Sequence, residues 1–111
     1  MVKTKAELET LAQQYVRNLV AHGIKVEKVI LFGSYGNGTA TENSDIDFAF
    51  ISNDFDRHNL LQRQKILAAC RPGMERTDVL AYSPSMLEKR RHESLLIQNI
   101  LEGETVFQAA A

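Results

Sequence analysis

The chain has 111 residues with thirteen basic and fourteen acidic side chains, a formal charge of −1. That length predicts one domain, and the balanced charge gives no bulk basic signal for nucleic acid. A single cysteine excludes an internal disulfide, and no apolar run approaches the roughly 20 residues needed to span a bilayer.

Thr4 and Glu7 have capping-box spacing, and Leu8, Leu11, Ala12, Tyr15, Val16, Leu19 and Val20 then recur on one helical stripe. The spacing predicts a helix over 5–22 that covers a sheet, stopped by Gly23. Tyr15 lies in the stripe and is expected in the core. Val26 to Phe32 follows as a first strand. Its Val29-Ile30-Leu31-Phe32 run does not alternate, which implies burial on both faces.

Residues 34–44 are rich in Gly, Asn, Thr and Ser and read as a turn with a short helical start, then a loop. Gly33, Gly36 and Gly38 let the backbone approach a ligand closely. Ser34 is positioned to donate a hydroxyl and to cap the short helix, whose free N–H groups favour phosphate. The second strand, through Ile51, carries Asp45 and Asp47 at its start. Residues two apart on a strand share a side, so the two carboxylates project together with Cα atoms about 6.6 Å apart. Like charges this close call for a cation between them, and magnesium takes one or two carboxylates plus phosphate oxygens. Ile46, Phe48 and Phe50 make the helix-covered face, and Ala49 and Ile51 share the acidic one. A phosphate cradle facing metal-binding carboxylates is a phosphoryl- or nucleotidyl-transfer site.

Asp54 or Asp56 is expected to cap the next helix, over about 57–70, with Leu60, Leu61, Ile66, Leu67 and Cys70 turned inward. Arg71-Pro72-Gly73 ends it. Cys70 reads as a small buried thiol. The connection is long enough for a crossover to a third strand, 76–81. A carboxylate inside that strand, Asp78, needs a partner. It either sits at an edge paired with Arg76 or joins Asp45 and Asp47 as a third carboxylate, and the need for a base favours the second. Ser83 and Pro84 open a further helix. Lys89, Arg90, Arg91 and His92 read first as a solvated face or a kink between two helices, and otherwise as a contact to a phosphate or a partner. Leu95, Leu96, Ile100 and Leu101 resume a stripe until Gly103. Residues 104–107 suit an edge strand, and 109–111 are expected to fray. His22, His58 and His92 lack metal-ligand spacing, and neither a P-loop nor a dinucleotide fingerprint is present.

Gly33-Ser34, ten residues, then Asp45-Ile46-Asp47 resembles the signature of the DNA polymerase beta-like nucleotidyltransferases. Within them the chain is similar to the minimal nucleotidyltransferases (MNT) that are paired with HEPN-domain proteins. The resemblance implies an α/β (α+β) fold: a small mixed sheet, helices mainly on one face and the active-site cleft on the other, in a single domain over 1–108. It implies that Gly33 and Ser34 hold the β- and γ-phosphates, that Asp45 and Asp47 ligate the metals, and that Asp78 helps ligate one metal and activates the attacking hydroxyl. The nucleotide-binding set is then Gly33, Ser34, Gly38 and Ser44. Two Mg²⁺ ions with ATP as co-substrate are the implied cofactors, and transfer of AMP to a tyrosine of a HEPN toxin partner is the implied reaction. Asn37 stands where many members carry an arginine. A binding module without catalysis and a small-molecule nucleotidyltransferase of the aminoglycoside type remain alternatives. A homodimer or hetero-oligomer fits the missing acceptor domain, and a cytoplasmic location is expected.

Overall fold

The apolar run that follows the first helix becomes the centre of a sheet. In a computed structural model describing residues 2–110, β1 (Lys28–Phe32) pairs antiparallel with β2 (Ile46–Ile51). On its other side β1 pairs antiparallel with β4 (Glu104–Gln108), and β2 pairs in parallel with β3 (Thr77–Tyr82). The order is β3-β2-β1-β4. The crossover between β2 and β3 and the edge position of β4 are as expected, and the sheet is mixed.

Helix α1 (Lys5–Ala21) begins at the expected box, where Thr4 and Glu7 satisfy each other's backbone N–H groups, and it closes before Gly23 at φ 92°. Leu8, Leu11, Ala12, Tyr15, Val16 and Leu19 are buried, but Val20 is turned to solvent, so the stripe is one residue narrower than its sequence suggests. Tyr15 is fully buried, with its ring 4.7 Å from that of Phe50 and its hydroxyl donating to the Leu67 carbonyl at 2.9 Å. Such a hydrogen bond contributes about 1 kcal/mol beyond the ring's own burial.

Helix α3 (Leu60–Ala69) packs beside α1 on the face formed by Val29, Leu31, Ile46, Phe48 and Phe50. Its register differs from expectation. Leu60 and Leu61 are exposed, and Arg63 is buried in their stead together with Leu67. Arg63 Nε donates to the Ala81 carbonyl and Gln64 Nε2 to the Val79 carbonyl. The carbonyls that β3 offers β2 are those of Arg76 and Tyr82, of the opposite parity, so Arg63 and Gln64 cover the open edge of β3. An edge left bare would be a template for pairing with other chains. The cap of α3 is Asn59, not Asp54 or Asp56. Asp54 instead accepts the Lys25 N–H from within a 3₁₀ turn (Asn53–Arg57), and Asp56 accepts from Ser83 and Ser85.

The opposite face carries Ile30, Phe32, Ala49 and Ile51 under two short helices, α4 (Pro84–Arg90) and α5 (Leu95–Leu101). Ser83 caps α4 with Pro84 in its first turn, as expected. In α5, Ile97 and Ile100 are the buried residues, while Leu95, Leu96 and Leu101 are exposed, which corrects the expected stripe. The basic run 89–92 is exposed at the break between α4 and α5, the solvated alternative. Burial on both faces explains why the first strand does not alternate. The Ala109 N–H donates to the Glu27 carbonyl, so sheet pairing continues past β4 into the segment expected to fray; Ala111 lies outside the described residues.

Candidate active site

Between β1 and β2 the chain makes a tight turn into α2 (Gly33–Asn37). Gly33 sits at φ 66°, where a side chain is strained, and a β-carbon there would overlap Asp47 Oδ2. The missing side chain is therefore the space that Asp47 occupies. A β-carbon at Gly36 would come 2.7 Å from the Leu31 carbonyl oxygen, which leaves room only for hydrogen. Gly38 ends α2 in the left-handed conformation at φ 81°, its N–H returning to the Ser34 carbonyl.

Ser34 lies inside α2 and does not cap it. The cap position belongs to Phe32, which makes no side-chain hydrogen bond, so the expected capping role is corrected. Asn37 Oδ1 is spent on its own turn, accepting from the Thr39 N–H at 3.1 Å and the Thr39 hydroxyl at 2.6 Å. Ser44 Oγ accepts the Thr41 N–H at 2.8 Å and so shapes the loop before β2.

The parallel ladder sets Asp47 directly opposite Asp78. By strand alternation both belong to the side carrying Ala49 and Ile51, the one expected to hold the cleft. Asp78 is exposed and Asp47 half-buried. Burial, then the Asp78 carboxylate, then that of Asp45, push the Asp47 pKa up to about 6. Asp45, one residue before β2, faces a cation that the sequence had offered to Asp78: Arg76 Nε lies 3.1 Å from Asp45 Oδ1, and the same guanidinium donates to the Asn43 carbonyl. Sequence reasoning missed this pairing. Its signal was the register itself, because a strand that sets Asp78 against Asp47 also sets Arg76 against Asp45.

The donor set fits a hard divalent cation. All three candidate ligands are carboxylates, and the like-charge crowding around Asp47 is what such an ion relieves. Among the described residues no three acidic, imidazole or thiol groups are already drawn into a cage; Asp45 is held by Arg76, and Asp47 and Asp78 are the pair brought together. Lys3, Tyr35, Glu42, Ser44, Ile46, Glu75 and Arg76 line a cavity of about 180 Å³, and none of the three aspartates belongs to its lining. The Tyr35 hydroxyl accepts the Lys3 N–H at 3.1 Å, tying α2 to the start of α1. Cys70 is buried and its thiol is pushed up by that burial, as suits an inert packing residue. No helix among the described residues is long and apolar enough to cross a membrane.

Known proteins share this fold. A protein of Methanocaldococcus jannaschii, provisionally named a protein adenylyltransferase (MJ1379), is 36% identical over 58 residues. The match takes in 52% of this chain and 54% of the relative, so the chain is matched to only about half of that protein's length. The crystal structure of a provisionally assigned nucleotidyltransferase from Sulfolobus solfataricus superposes with a TM-score of 0.68 at 19% identity, over 94% of this chain and 83% of that one. A toxin–antitoxin structure with AMP-PNP gives 0.59 at 24% identity, and a mutant of the toxin–antitoxin MntA–HpeT gives 0.54 at 24%; each covers 91% of this chain and 73% of that one. At these identities the solved structures establish a shared fold. The nucleotidyltransferase domain profile matches residues 12–107, nearly the whole sheet and its helices, and the chain belongs to that nucleotidyltransferase family.

Proposed function

We infer that the protein transfers a nucleoside monophosphate, AMP from ATP, to a hydroxyl on a partner protein, and that the acceptor is a tyrosine of a HEPN-type toxin neutralised by the transfer. The observation that carries this reading is the carboxylate pair Asp47 and Asp78, set across one ladder beside a turn whose glycine makes room for Asp47. Support for the acceptor comes from outside the chain. One relative is named for protein adenylylation, and two neighbours in fold are toxin–antitoxin structures, one holding AMP-PNP. The mutant neighbour carries glutamate in place of two aspartates that lie two residues apart, the spacing of Asp45 and Asp47 here.

In this mechanism Ser34 and the N–H groups of the turn at Gly33 bind the β- and γ-phosphates and take up the charge of the leaving pyrophosphate. Asp45, Asp47 and Asp78 would hold Mg²⁺, which supplies charge neutralisation at the attacking and departing oxygens. Asp78, exposed on the edge strand, faces the acceptor and takes the proton from its hydroxyl as the oxygen attacks the α-phosphorus. The new P–O bond forms as the bond to pyrophosphate breaks. A second reading, neutralisation by binding alone, draws on Asn37, whose amide oxygen is occupied within its own turn and which brings no cation to a triphosphate.

The test is transfer of label from α-³²P-ATP with Mg²⁺ into a lysate of the native host, comparing wild type with Asp47→Asn. A single labelled protein band, lost in the variant while its circular dichroism spectrum is unchanged, is the expected result. Equal labelling by the variant would remove Asp47 from the mechanism. Label in RNA or in a small molecule would keep the transferase and discard the toxin. Capture of a toxin by both proteins without label would select the binding module.

A further inference from the structure

Four charged side chains stand in two rows where β2 and β3 begin. Asp45 faces Arg76 in the first row, and Asp47 faces Asp78 in the second. The ladder bond from the Ile46 N–H to the Arg76 carbonyl, 2.9 Å, fixes both rows in one register. The second row repels and the first attracts. Three carboxylates and one guanidinium leave the group two positive charges short of balance, the charge of one divalent cation.

We propose that Arg76 is a resident counter-ion that holds Asp45 in the nucleotide-free protein and competes with the incoming divalent cation for that carboxylate. This rests on the metal-dependent reading above and adds a residue that acts on the site through Asp45. The geometry favours competition over simple structural pairing. Arg76 Nε is only 3.1 Å from Asp45 Oδ1, so a cation bound by that oxygen would be set against the guanidinium at short range. Arg76 also has somewhere to go: its side chain is 63% exposed and lines the cavity shared with Ser44 and Tyr35. Its second bond, to the Asn43 carbonyl, is to backbone outside the carboxylate group, so the guanidinium can keep one anchor while releasing Asp45. Of the acids lining that cavity, Glu75 is engaged by Lys3 at 3.0 Å. Arg76 is thus a positioning residue: it offsets the mutual repulsion of the carboxylates and makes cation binding weak until a nucleotide brings further oxygen ligands.

The experiment is Mn²⁺ titration of the nucleotide-free protein, followed by the electron paramagnetic resonance of free Mn²⁺, for wild type, Arg76→Ala, Arg76→Lys and Asp47→Asn. Arg76→Ala is expected to bind Mn²⁺ up to about fivefold more tightly, the range set by an exposed ion pair. Arg76→Lys, which restores the charge, is expected to return toward wild type. Because both variants lie on an exposed side chain, matching circular dichroism spectra establish that the fold is kept. Equal or weaker binding by Arg76→Ala, with binding by wild type that Asp47→Asn loses, would overturn the competition while leaving the metal site standing. Failure of Arg76→Ala to bind more tightly than wild type without nucleotide would overturn this inference, and failure of every protein to bind even with ATP added would overturn the metal reading as well.

Discussion

Gly33 joins the turn to the chemistry in one atom's worth of space. Alanine there would be strained at φ 66° and would meet Asp47 Oδ2. Gly33→Ala is expected to lose about 1–3 kcal/mol of stability from backbone strain. It should also lose transfer activity by displacing the carboxylate. Urea unfolding and the label assay check both, and a variant that keeps wild-type activity would show that Asp47 tolerates the shift. At this scale the candidate residues were legible in the sequence, and the structure places Gly33 against Asp47 and Asp47 against Asp78. The glycine-serine turn follows turn chemistry, while the two aspartates two apart and the awkward Asp78 violate what a strand prefers, and both kinds of signal are visible one residue at a time. What was hidden is pairwise. Without the β2–β3 register the chain's order does not say that Arg76 meets Asp45, nor that the Ser44 hydroxyl and the Asn37 amide oxygen are engaged within their own loop.

Among the elements, the caps at Thr4 and Ser83 and the stop at Gly23 were readable because capping is local. The inward faces of α3 and α5 were not. Leu60 and Leu61 yield to Arg63 because the partner is the edge of β3, where backbone carbonyls need donors more than the helix needs another apolar contact. The same logic moves Asp56 from a helix cap to a latch. Its carboxylate accepts from Ser83 Oγ at 2.5 Å and from Ser85 Oγ at 2.8 Å, joining the 3₁₀ turn to the start of α4. The Ser83 bond first, then the Ser85 bond, hold its pKa below the usual carboxylate range. A lowered folded value means that the stabilisation is fully present above the unfolded carboxylate pKa of about 4 and is lost as pH falls through the folded one. Asp56→Asn is therefore expected to melt below wild type at pH 7, with the gap closing under acid conditions. A gap that stays constant from pH 7 to pH 3 would exclude the charged latch.

For the molecule as a whole, the sheet order puts the two most buried strands, β1 and β2, at the centre, and both ends of the glycine turn hang from them. The long-range arrangement was legible only in part. Crossover length pointed to the β2–β3 connection and apolar continuity to double-sided burial, but the covering of the second face by two short helices was not expected. One contact reaches from that covering to the site. A β-carbon at Gly103, in the link from α5 to β4, would come 2.5 Å from the Leu31 carbonyl oxygen and 2.7 Å from Ile30 Cγ2. Gly103→Ala is expected to cost about 1–3 kcal/mol through overpacking. It should also slow transfer although it touches no candidate ligand. Denaturant midpoints with the label assay check this, and full activity in a destabilised variant would localise the damage to the far side.

The Leu31 carbonyl is also the oxygen against which Gly36 rests. A single backbone atom is therefore clasped from two directions, by the glycine turn and by the link into the last strand. A partner protein that pushed on that link would have a lever on the turn without entering the cleft, and the back of the molecule would become a place from which the reaction can be throttled.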